Sequence, residues 1–162
     1  MTTFHDFKVR TIDGGELDLA SLQGKVVLVV NVASRCGFTP QYEGLQALHA
    51  ELAPRGLVVL GVPANEFGAQ EPGTDAEIQT FCDTRYHVTF PMLSKLVVKG
   101  DGQHPLFAWL TAQGADAGEI RWNFEKFLVG RDGAVLSRFG SRVAPGSAEL
   151  RSAIEAALGA AG

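Results

Sequence analysis

The sequence predicts an α/β protein with a mixed central β-sheet, helices on both faces and an N-terminal β-hairpin. Two observations carry that expectation. Lys25-Val26-Val27-Leu28-Val29-Val30 is apolar and β-branched, as a strand buried on both faces must be. A second such run, residues 57–62, follows after a helix-length segment whose Leu45, Leu48 and Leu52 recur at helical spacing. Together, residues 26–62 read as one βαβ unit with parallel strands.

The remaining elements follow in order. Residues 8–11 and 16–19 flank Asp13-Gly14-Gly15 and form the hairpin. The first long strand covers residues 26–33. The helix behind it runs from about residue 40 to 53, with Thr39 as N-cap and Pro40 in its first turn. Pro54-Arg55-Gly56 ends that helix, and a polar, Gly- and Pro-rich loop spans residues 63–74. Thr74 with Glu77 three positions on is a capping-box spacing that starts a helix reaching about Tyr86. Residues 90–98 read as a strand, although Pro91 forbids a fully paired central start. Residues 105–111 read as helix. Residues 127–130 and 134–139 form a hairpin about Arg131-Asp132-Gly133. Ser147 caps a last helix whose Leu150, Ile154 and Leu158 share a face.

Composition narrows the function. The 162 residues fit one domain, residues 1–162, with no repeat or linker to divide it. A net charge of −4 with scattered basic residues argues against a nucleic-acid partner. No stretch has the apolar length of a membrane span, and Met1-Thr2-Thr3-Phe4-His5-Asp6 lacks the pattern of a signal peptide, so a cytoplasmic location is expected. Cys36 and Cys82 are too far apart in sequence for a C-x-x-C pair. His5, His49, His87 and His104 show no ligand spacing, so neither a metal nor another cofactor is expected.

Cys36 is the candidate nucleophile. It lies where the first long strand ends and a helix begins, and a thiol there faces unpaired N–H groups that favour the thiolate. Parallel strands end at one sheet edge, which sets the 63–74 loop beside Cys36. If strand 127–130 runs antiparallel, Arg121-Trp122-Asn123 arrives at that same edge. Gln70, Trp122 and Asn123 then supply uncharged N–H donors. Such donors suit a thiolate attacking a peroxide O–O bond, because they stabilise charge on the leaving oxygen. Taken singly, Gln70 reads as a surface loop residue, Trp122 as a core anchor and Asn123 as a turn residue. Ile78, Phe81 and Cys82 share a helix face, so periodicity alone makes Cys82 a core residue.

At this point the chain resembles the glutathione peroxidase family, which has a thioredoxin-like fold. Asn31-Val32-Ala33-Ser34-Arg35-Cys36-Gly37-Phe38-Thr39 is similar to that family's nucleophile motif. Asn65-Glu66-Phe67-Gly68-Ala69-Gln70-Glu71-Pro72-Gly73 is similar to its glutamine loop, and Trp122-Asn123-Phe124-Glu125-Lys126-Phe127-Leu128 to its Trp-Asn motif. Phe90-Pro91-Met92 and His104-Pro105-Leu106 match further blocks. The resemblance implies a catalytic tetrad of Cys36, Gln70, Trp122 and Asn123 and a thiol peroxidase reducing hydrogen peroxide and organic or lipid hydroperoxides. It also implies that Cys82 is the resolving cysteine of the thioredoxin-dependent branch. Cys36 would be oxidised to a sulfenic acid, Cys82 would condense with it, and thioredoxin would reduce the disulfide. The short 112–119 segment resembles monomeric members with an open site, so a monomer is expected. Glu66 stands where Gln is common, and adds a negative charge near the site. Two alternatives remain at this stage. One is glutathione as reductant, with Arg35, Lys95 and Arg121 as candidate cations; the other is a redox relay passing oxidation to a partner protein.

Overall fold

The chain is described by a computed structural model covering residues 1–160. Strands β1 (Lys8–Arg10) and β2 (Glu16–Asp18) pair antiparallel, with Val9 opposite Leu17. The main sheet holds β3 (Val26–Val32), β4 (Leu57–Pro63), β5 (Lys126–Val129) and β6 (Val135–Phe139) in the order β4-β3-β5-β6. β3 and β4 run parallel, from Val26 opposite Leu57 to Val32 opposite Pro63. β5 runs antiparallel to β3, with Val30 opposite Lys126, and β6 antiparallel to β5. The helices are α1 (Gln41–Leu52), α2 (Asp75–Phe81), α3 (Pro105–Thr111) and α4 (Ala148–Gly159).

All seven residues of β3 are buried, because side chains alternate between faces and both faces are covered. Val26, Leu28, Val30 and Val32 join Tyr42, Leu45 and Leu48 of α1, Ile78 of α2, and Leu150, Ile154 and Leu158 of α4. Val27 and Val29 face the other way, against Leu106, Phe107 and Leu110 of α3 and Phe4 and Leu19 of the N-terminal segment. Each fully buried leucine contributes on the order of 2 kcal/mol, so the two layers clamp the sheet from both sides. The mixed sheet with helices on both faces and a leading hairpin is therefore as expected.

Three local expectations are corrected. Residues 90–98 form no strand; only single bridges join Met92 to Gly61 of β4 and Leu93 to Thr11. Pro91 has no N–H to give, and Ile12 and Ser94 pair instead with Met92 and Arg10, so the segment is shared between β4 and the hairpin. Gly61 allows the close approach, since a Cβ there would overlap the Met92 sulfur. The helix expected to reach Tyr86 leaves α geometry after Phe81. Residues Cys82–Tyr86 form a π-helical turn that closes on His87, in the left-handed region at φ 51°. Finally, Thr39 does not cap α1. Pro40 occupies that position without a side-chain bond, and the Thr39 hydroxyl is used elsewhere.

Candidate active site

Three chain segments meet at the end of the sheet where β3 and β4 finish and β5 starts. Cys36 follows β3 in a tight turn, one turn upstream of α1 and not on its first N–H groups. That turn is tied by Thr39, whose hydroxyl accepts the Cys36 N–H at 2.9 Å and donates to the Ala33 carbonyl at 2.8 Å. The N–H that reaches the sulfur is that of Phe38, at 3.3 Å from Sγ. Cys36 is 9% exposed.

The glutamine loop and the Trp-Asn turn lock together above this turn. The Asn123 amide donates to Gln70 Oε1 at 2.9 Å and lies 3.4 Å from the Phe67 carbonyl. With its oxygen engaged, Gln70 keeps its NH2 group as a donor. The Gln70 carbonyl in turn accepts the N–H of Arg35, the residue before the thiol, at 3.0 Å. The Trp122 ring meets Phe67 edge-on at 5.9 Å and is 36% exposed. Gly68, at φ 69°, allows this packing, because a Cβ there would sit 3.1 Å from the indole and 3.6 Å from Gln70. Gln70 is thus bonded to the residue before Cys36, Asn123 to Gln70, and Trp122 lines a groove with Phe38, whereas Cys82 makes none of these contacts. It is 1% exposed and lines a separate cavity with Gln79, Asp83, Val88 and Phe90, and both thiols are free. Burial, with help from the nearby Glu71 and Asp83 charges, pushes the Cys82 thiol up to about 11.

Several supporting residues were not singled out from sequence. Asn31, a buried amide inside an otherwise apolar strand, donates to the Trp122 carbonyl at 3.1 Å and accepts the Phe124 N–H on its own carbonyl. That grip fixes the Trp122–Phe124 turn, with Phe124 at φ 63°. Lys126, a lone cation in β5, is fully buried and donates to the Phe124 carbonyl at 2.7 Å. Burial pushes its ammonium down to about 8. Glu71 accepts the Ser34 N–H at 3.1 Å and its carboxyl is pushed up by burial. Glu66, which the sequence did single out, turns inward to accept the Val98 and Asn65 N–H groups, so it braces its own loop. A polar residue inside an apolar strand was the available signal for Asn31 and Lys126.

The approach to Trp122 is held by a buried ion pair. Arg138 meets Glu125 at 2.5 Å, with side chains 7% and 1% exposed, and also donates to the carbonyls of Asp116, Gly118 and Glu119. Glu125 accepts the Arg121 N–H at 3.0 Å. Arg138→Met would strand that carboxylate, and we expect a loss of about 3–5 kcal/mol in urea unfolding. An unchanged unfolding midpoint would show that the pair contributes nothing.

The glutathione peroxidase family model matches residues 4–111. The chain belongs to the glutathione peroxidase family. It is similar to the hydroperoxy fatty acid reductase gpx1 of Synechocystis sp., at 50% identity over 151 residues, covering 88% of this chain and 89% of that protein. It is equally similar to the glutathione peroxidase-like peroxiredoxin gpx1 of Schizosaccharomyces pombe, at 50% identity over 143 residues, covering 87% and 90%. Among solved structures, that of Trgpx in apo form superposes with a TM-score of 0.78 at 39% identity, covering 98% of this chain and 97% of that one. A thioredoxin family thiol:disulfide interchange protein from Chlorobium tepidum superposes with a TM-score of 0.72 at 19% identity, covering 94% and 93%, which shows the thioredoxin-like fold. As a glutathione peroxidase family member the protein is a peroxidase, an oxidoreductase acting on hydroperoxides. No helix among the described residues is long and apolar enough to cross a membrane.

Proposed function

We propose that Cys36 is the peroxidatic sulfur, that Gln70, Trp122 and Asn123 are its donors, and that Cys82 resolves the oxidised form for reduction by thioredoxin. The observation that supports this reading is the Asn123–Gln70 hydrogen bond, which joins two distant segments, one of them bonded through the Gln70 carbonyl to the N–H of Arg35. In the first step the Cys36 thiolate attacks one oxygen of ROOH. The S–O bond forms, the O–O bond breaks, and the leaving RO⁻ takes a proton to become ROH, with the amide and indole N–H groups stabilising its charge. Sulfur is oxidised to the sulfenic acid and the peroxide is reduced. In the second step the Cys82 sulfur attacks the Cys36 sulfenic sulfur. The disulfide forms and water leaves, carrying the thiol proton. A dithiol of thioredoxin then reduces the disulfide and is itself oxidised.

Two features support Cys82 in this role. It opens the π-helical turn, and such turns are strained interruptions common at working sites. The turn closes on a left-handed non-glycine residue, His87, a backbone state that costs free energy and recurs at functional sites. Against glutathione as the main reductant, the Lys95 ammonium is already engaged by the Glu71 and Gly73 carbonyls, at 3.0 and 2.6 Å. The short 112–119 segment is held by Arg138 through the Asp116 and Gly118 carbonyls, and its shortness supports bulky hydroperoxides as substrates, of the kind named for the Synechocystis relative. Steady-state turnover of tert-butyl hydroperoxide tests the reductant. We expect thioredoxin to sustain a rate at least roughly tenfold above that with millimolar glutathione. Equal or faster turnover with glutathione would overturn thioredoxin as the reductant.

A further inference from the structure

The loop after β6 leaves one cation unused. Residues Gly140, Ser141, Arg142 and Val143 run past Trp122 and, with it and Phe38, line a groove of about 570 Å³. That volume is in the range of sites for small organic ligands. The groove borders the nucleophile turn, since Phe38, which lines it, is also the residue whose N–H reaches Cys36 Sγ. Its side chains are apolar apart from Ser141 and Arg142, and it has no acidic lining. The loop is pinned: the Ser141 carbonyl accepts the Gln41 side-chain amide at 2.7 Å and faces the Lys126 ammonium at 3.5 Å. Arg142 is exposed and takes no part in the ion pairs that engage Arg55, Arg138 and Arg151 among the described residues.

A mostly apolar trough that borders the nucleophile turn through Phe38 and carries one unpaired guanidinium is complementary to an amphiphile with one anionic end. We propose that the groove holds the acyl chain of a free fatty-acid hydroperoxide and that Arg142 binds its carboxylate. This rests on the reading of Cys36 as the peroxidatic sulfur. The guanidinium fork matches a carboxylate bidentately, whereas an ester offers it no charge. Phe38, Trp122 and Val143 supply the apolar contact for the chain. Arg142 is then a specificity residue, and selects free acids over their esters in a protein whose net charge of −4 would otherwise repel anions.

The test compares kcat/KM for a C18 fatty-acid hydroperoxide, its methyl ester and a phosphatidylcholine hydroperoxide in the wild type, Arg142→Ala and Arg142→Lys. The acid-to-ester selectivity is expected to fall about tenfold in Arg142→Ala and to recover in part in Arg142→Lys. Oleate, which carries no peroxide, should inhibit tert-butyl hydroperoxide turnover in the wild type, with its inhibition constant weakened by a similar factor in Arg142→Ala. An unchanged acid-to-ester ratio and unchanged oleate inhibition would overturn the proposal. A loss confined to the phospholipid would overturn it too, in favour of a headgroup site. Turnover of all three peroxides by Cys36→Ser would instead sink the underlying assignment of the sulfur, so the two failures are distinguishable.

Discussion

Cys36→Ser is expected to abolish peroxide consumption, with a fall of at least roughly a thousandfold in the rate of hydrogen peroxide loss. The change is nearly isosteric, and the bonds that shape the turn use the Cys36 backbone N–H and the Thr39 hydroxyl, which it leaves alone. What is lost is the nucleophile. A hydroxyl does not ionise at neutral pH, and oxygen cannot take up the transferred oxygen atom as sulfur does. A thermal-unfolding control separates chemistry from folding, and it should show little change. Substantial residual turnover would move the reaction to Cys82 or elsewhere.

Cys82→Ser should leave the first oxidation intact and stop the cycle. Mixed with peroxide, the variant is expected to consume close to one equivalent and then stall with thioredoxin, a steady-state loss of about a hundredfold or more. Dimedone should trap its Cys36 sulfenic acid. In the reduced protein Cys82 is buried among Tyr42, Ile78 and Phe90, and we expect the turn and loop that hold it to open before the sulfurs meet. Hydrogen exchange should therefore rise across residues 63–86 on oxidation, and equal protection in both states would count against opening. The pH dependence follows in sign. Packing raises the Cys82 thiol from 9.0 to about 11, so the packed turn holds its proton more tightly than the released one. That extra stability is complete below pH 9 and is lost as pH rises toward 11. Disulfide formation should accelerate with pH across that window.

Much of this arrangement was legible from residue pattern, for identifiable reasons. β3 and β4 are buried on both faces, so their apolar runs are continuous, and their parallel pairing placed Cys36 beside Gln70. The capping box of Thr74 and Glu77 and the Ser147 cap are local signals, and both are present as expected. The features that escaped depend on partners far along the chain. Asn31 answers Trp122, Glu125 answers Arg138, and the 90–93 segment is divided between β1 and β4. Thr39 looked like a helix cap because Pro40 follows it, yet its hydroxyl is drawn to the Ala33 carbonyl of the nucleophile turn. The π-helical turn at Cys82 has no sequence signature of its own, since the same residues would serve in an α-helix.

The most direct measurement is a non-reducing peptide map of the reduced protein after one equivalent of hydrogen peroxide. The account predicts that the peptide carrying Cys36 is recovered joined to the peptide carrying Cys82, and that both free thiols disappear together. Recovery of Cys36 as an unmodified thiol, with the peroxide still present, would contradict it.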